Sequence, residues 1–113
     1  MNIDELTLGQ IKEINKLTNS NVSSKQHPFE IGANYLIRTV TMIQCGTLVD
    51  VFENELILEN ASWVADTGRF KQAVETGSFD EVEPFPPSQR VIIGRNALID
   101  AVKVNFKLPM EQK

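Results

Sequence analysis

Apolar residues recur at intervals of three along residues 4–17, where Leu8, Ile11, Ile14 and Leu17 line one narrow stripe. That period predicts an amphipathic helix capped by Asp4 or Thr7. The polar run Thr18 to Gln26 breaks the periodicity and reads as a loop, and His27-Pro28 forces an extended backbone ahead of the next element. From Tyr35 to Ile43 the chain turns to β-branched and aromatic residues, the pattern of a half-buried strand. Cys45-Gly46 then reads as a turn, Thr47 to Phe52 as a second strand, and Glu53-Asn54 as a tight reversal into Leu56-Ile57-Leu58. A further apolar piece, Ala61 to Ala65, carries the single tryptophan, Trp63.

The meander is interrupted by a second helical pattern over residues 67–76. Asp66 or Thr67 can cap it, Phe70, Ala73 and Val74 share a face, and Gly77 is placed to end it. The segment Asp80 to Ser88 is acidic and carries Pro84, Pro86 and Pro87 around Phe85, which excludes a central strand and predicts an ordered loop. Arg90 to Ile93 and Ala97 to Phe106 read as two strands joined by a reversal at Gly94-Arg95-Asn96, and residues 107–113 as a frayed tail. The expectation is one mainly β (α+β) domain over residues 1–113. Short, bent strands over residues 35–106 would close as a small five-stranded barrel, with an N-terminal helix at 4–17 and a short helix inserted between strands 3 and 4.

Composition narrows the function classes. The chain of 113 residues is 42% hydrophobic and 23% charged, close to a globular average. A net charge of −4 opposes tracking of a phosphate backbone, which needs clustered Lys and Arg, so nucleic acid is not an expected partner. Met1 to Asp4 is polar and acidic where a secretory signal is basic and then apolar, and no run reaches bilayer length. A cytoplasmic protein with no membrane partner is expected. The lone Cys45 falls in an apolar stretch and reads as a small buried hydrophobe. With His27 as the only histidine, a catalytic triad has no spare parts, and no CxxC, HxxxH or calcium-type acidic loop is present. No catalytic residue, metal or cofactor is expected.

Binding has better candidates. Arg38 lies mid-strand between apolar residues and needs an acid, solvent or a ligand; Asp50, Glu59 and Asp100 are its candidate acids. Arg69 follows Thr67-Gly68 at the start of the inserted helix, either as part of an anion cradle or as a solvated neighbour of the cap. Arg95 and Asn96 offer a guanidinium fork beside an amide, in what is otherwise a hairpin turn. Phe85 is held between prolines, as a ligand contact or as a plug over the barrel end, and Trp63 reads as core.

The order of helix, three-stranded meander, variable loop and two-strand finish, with Leu56-Ile57-Leu58-Glu59 and Val91 to Ile99, resembles the Sm-like (Hfq-like) barrel, an SH3/Sm-type fold. That resemblance implies a ring-forming RNA-binding protein. The family's uridine-stacking loop has an Asp, an aromatic and an Asn, where this chain has Glu53-Asn54-Glu55. Separately, Tyr35 to Thr41, Trp63 to Phe70, Glu81 to Pro86 and Val91 to Ala101 are similar to segments of a family of small, uncharacterised phage and prophage proteins. That similarity implies a phage origin and the cytoplasm of an infected or lysogenic bacterium.

Three functional expectations follow. The first is a phage-encoded homo-oligomer that sequesters a small nucleotide signal of host anti-phage defence, a phosphorylated ligand held near Arg38, Arg69, Phe85, Arg95 and Asn96. The second is a protein-interaction or minor virion module whose acidic face meets a basic partner. The third is Sm-like RNA binding. The discriminating feature between the first two is whether the arginines converge on one concavity or are taken up in separate pairs.

Overall fold

The computed structural model describes residues 27–113, so the helix expected at 4–17 and the loop after it lie outside the described residues. The elements are β1 (Asn34–Thr39), β2 (Ile43–Val51), β3 (Glu55–Asp66), α1 (Phe70–Thr76), β4 (Glu81–Pro84), β5 (Val91–Gly94), a 3-10 turn (Arg95–Ala97) and β6 (Leu98–Val104). The described residues are thus mainly β, with one helix. All strand pairs are antiparallel, in one 6-stranded open sheet ordered β4-β3-β2-β1-β6, and β5 also lies against β3. Among the described residues the sheet is open, with no ladder joining β6 to β4 or β5, so it does not display the expected closed five-stranded barrel.

The first reversal is not at Cys45-Gly46, which lies inside β2, but just after β1. Thr39 N–H donates to Met42 O at 2.8 Å, and the Thr39 hydroxyl donates to the same oxygen at 3.0 Å. Gly46 has a different purpose. A Cβ there would lie 3.0 Å from Ala61 Cα and 3.1 Å from Glu59 O, so glycine allows β3 to press against β2. This close approach coincides with a register shift after Cys45 and with Asn60 at φ 53, the bend that lets β3 run on as a single strand. The two apolar pieces expected on either side of Asn60 are therefore one element. Its first half pairs with β5 and its second half with β4.

Both faces of β1 are buried. Tyr35 and Ile37 join a cluster with Leu48, Leu56, Leu58 and Ile93. Leu36 joins the other, with Cys45, Val64, Phe79, Val104 and Phe106. The second cluster is closed by α1 through Ala73 and by the Phe79 and Phe106 rings, which meet edge to face at 5.7 Å. Gly77 ends α1 as expected, at φ 75, with its N–H donating to Ala73 O at 2.8 Å; a Cβ there would strike the Phe106 ring.

Several local expectations fail for identifiable reasons. Arg69, not Asp66 or Thr67, is the N-cap residue of α1, because Asp66 Oδ1 accepts the Gly68 N–H at 2.9 Å in a turn of its own. Phe70 is 41% exposed and does not join the core face. Glu81 to Pro84 is a strand, at the sheet edge that prolines tolerate. Gly94 to Asn96 does not close a hairpin, since β5 pairs with β3 and β6 with β1. The tail is tied down at Lys113, whose N–H donates to Val82 O at 2.9 Å while Val82 N–H donates back to Lys113 O at 3.1 Å.

Candidate functional site

Arg38 and Arg95 are taken up by separate partners, and Arg69 by none among the described residues. Arg38 Nε donates to Asp100 Oδ1 at 2.9 Å, its second nitrogen pairs with Oδ2, and the guanidinium lies 4.9 Å from the Phe70 ring centre. Register explains the pair, because Arg38 and Asp100 are direct neighbours across β1 and β6. The hydrogen bond and charge of Asp100 raise the Arg38 pKa, and the Arg38 hydrogen bond holds the Asp100 carboxyl below its ordinary value. Arg95 donates to Phe52 O at 2.6 Å and lies over the Phe29 ring at 5.4 Å, and Asn96 is exposed on the 3-10 turn. Arg69 is exposed at the start of α1 and makes no ion pair among the described residues.

Burial pushes the Cys45 thiol up to about 12, which keeps it protonated and unreactive at neutral pH. The His27 ring lies 6.0 Å from that of Phe29, tilted by 37°, and its Nδ1 is buried without a hydrogen-bond partner among the described residues. Among the described residues no group of His, Cys, Asp or Glu could hold a metal ion, and no helix is long and apolar enough to cross a membrane.

A groove lies across β2, β3 and β4. Gln44 is the direct partner of Trp63, and Trp63 is the direct partner of Glu83, so the three side chains stand in a row on one face of the sheet. With Met42, Pro84, Phe85 and Pro86 they line a groove of about 320 Å³. The Phe85 N–H donates to Ala61 O at 2.9 Å, which anchors the ring at the mouth while it packs on the Tyr35 cluster.

This groove is apolar for most of its lining. Gln44 is 8% exposed, and its Oε1 is buried with no hydrogen-bond partner among the described residues. Glu83 is exposed and has no ion-pair partner among the described residues; with Trp63, Glu81 and Lys113 it also lines a second depression. Trp63, expected in the core, is 40% exposed, and Met42 is 47% exposed.

Of the five residues singled out from sequence, only Phe85 lines this groove. Gln44 was the readable signal that sequence reasoning passed over: a polar amide set between Ile43 and Cys45 in a strand otherwise rich in apolar residues. Comparisons of the chain with models of known families, with curated proteins and with solved structures find no match.

Proposed function

We propose that the protein is a non-catalytic interaction module that docks a basic protein segment in the groove beside Trp63. The observation that carries this reading is the row Gln44–Trp63–Glu83, which sets an exposed indole between an amide oxygen and a carboxylate that have no partner among the described residues. Exposed aromatic and Met side chains beside acceptors suit a partner that brings an apolar stem and donors. The overall charge of −4 favours the same partner sign. At about 320 Å³ the groove sits at the lower limit of ligand pockets.

The finer fold belongs to this reading too. β1, β2, β3, β5 and β6 make a small SH3/Sm-type barrel, with α1 and β4 inserted between its third and fourth strands. In a flat sheet β5 and β6 would be about 19 Å apart, four strand spacings. The 3-10 turn that joins them advances only about 6 Å. Curling the sheet resolves the mismatch, in keeping with the Val40 N–H bond to Ala97 O and the Arg95 N–H bond to Asn54 O. A phage source, a host-cytoplasmic setting and a symmetric homo-oligomer complete the proposal, the first two resting on the resemblance of segments such as Trp63 to Phe70.

One observation favours the alternative of a sequestered phosphorylated ligand: Arg69 lacks an ion pair among the described residues and sits beside Phe70, over which Arg38 lies. A peptide-display selection against the whole chain, with Trp63→Ala as counter-target, separates the two. The docking reading expects an enriched motif that needs Trp63. Failure of any peptide to prefer the parent chain, together with a thermal shift from nucleotides that depends on Arg69, would replace it.

A further inference from the structure

From the groove's chemistry we infer that its occupant is an arginine side chain of the partner, stacked on Trp63 with its guanidinium shared between Glu83 and Gln44; this rests on the docking reading above. Gln44 Oε1, buried without a partner among the described residues, and the Glu83 carboxylate, which has no ion pair among them, both accept hydrogen bonds, so the group that suits them is a donor. A buried acceptor without a partner is costly, and a ligand that supplies one recovers that cost on binding. The terminal torsion of a glutamine side chain has broad two-fold freedom, so the amide can present its oxygen to the groove.

Geometry then selects among donors. Gln44 and Glu83 flank Trp63 on neighbouring strands, so their Cα atoms are about 10 Å apart, two strand spacings. A planar group above the indole would lie between the two. A guanidinium fills that description: it is flat, stacks on aromatic faces, and projects donors to opposite sides. An ammonium is a compact point donor and suits one acceptor better than two on opposite sides. Met42 and Phe85 provide the apolar walls that the arginine stem would lie along.

Trp63 is the only tryptophan, so its emission reports the groove alone. The test titrates the whole chain with blocked tripeptides, acetyl-Gly-X-Gly-amide, with X as arginine, lysine, citrulline or norleucine. Citrulline keeps the shape of arginine and removes its charge. The arginine peptide is expected to change Trp63 emission saturably and to bind at least about ten-fold more tightly than the citrulline peptide. Glu83→Gln, at an exposed position, should weaken the arginine peptide by a similar factor, and Gln44→Met should weaken it while leaving the chain folded. Equal binding of arginine and citrulline, or of arginine and lysine, overturns the assignment. So does an emission change with cyclic dinucleotides or ATP and none with the arginine peptide. If the display selection returns a Trp63-dependent motif without arginine, the docking reading stands and this inference falls; if it returns no motif, the docking reading itself falls.

Discussion

Gln44 stands directly opposite Trp63 across β2 and β3, with its amide oxygen buried and without a partner among the described residues, beside an indole that is 40% exposed. A sheet selected for stability alone would have an apolar residue at position 44. Gln44→Met, which keeps the side chain's length and removes the orphan oxygen, is therefore expected to raise the unfolding free energy by about 1 kcal/mol. Urea denaturation of the two proteins checks this. A stability loss would mean that the amide is satisfied in solution and that the groove has no unmet acceptor.

Gly46 and Gly94 make a matched pair of tests for the bend in β3. Gly46→Ala puts a methyl group 3.0 Å from Ala61 Cα and should cost about 1–3 kcal/mol, because backbone and not a flexible side chain must give way. Gly94 has nothing within 4 Å of its added Cβ and an ordinary φ of −71. Gly94→Ala should be neutral or stabilising by up to about 1 kcal/mol, through the unfolded chain. Similar midpoints for the two variants would argue against the close contact of β2 and β3.

The Arg38–Asp100 pair gives an acid limb to stability. Arg38 holds the Asp100 carboxyl below its ordinary value, so the native state prefers the ionised form. The stability this contributes is present above the unfolded aspartate pKa, about 3.9, and is lost as pH falls through the lower folded value. Denaturation midpoints should drop less steeply below about pH 4 in Asp100→Asn than in the parent chain. An unchanged acid slope would mean that the pair does not form in solution.

Cys45 gives an alkaline limb of opposite sense. Burial raises its thiol to about 12, so above the ordinary thiol value the unfolded chain sheds a proton that the folded chain keeps. Stability should fall as pH rises from about 9, and Cys45→Ala should flatten that fall even though it leaves a small cavity. Thiol labelling at pH 8 should proceed only through unfolding, with a rate that follows denaturant concentration. Rapid labelling of the folded chain would contradict the burial.

Local signals were readable where one residue type has one job. Gly77 ends a helix at φ 75, and Glu53-Asn54 closes the turn in which Phe52 N–H donates to Glu55 O at 2.8 Å. Gly46 misled because a glycine that permits close approach looks like a glycine that turns the chain. Prolines at 84, 86 and 87 correctly barred a central strand, but the edge position left room for β4. The site was harder, since Gln44, Trp63 and Glu83 are far apart in sequence and only antiparallel register aligns them. Trp63 looked like core because it lies in the apolar piece Ala61 to Ala65; strand alternation buries Ser62 and Val64 and turns Trp63 to the other side. The arginines drew attention as single charges, whereas Asp100 and the Phe52 carbonyl, their partners, come from distant strands and turns.

The proposed binding is at the row of Gln44, Trp63 and Glu83 and not at the arginines. Backbone amide shift mapping of the whole chain with acetyl-Gly-Arg-Gly-amide locates it residue by residue. Perturbations are expected at residues 42–44, 62–64 and 82–86, together with the Trp63 indole N–H. Perturbations centred on Arg38, Phe70 and Asp100, or on Arg95 and Asn96, with the Trp63 indole unmoved, would contradict it.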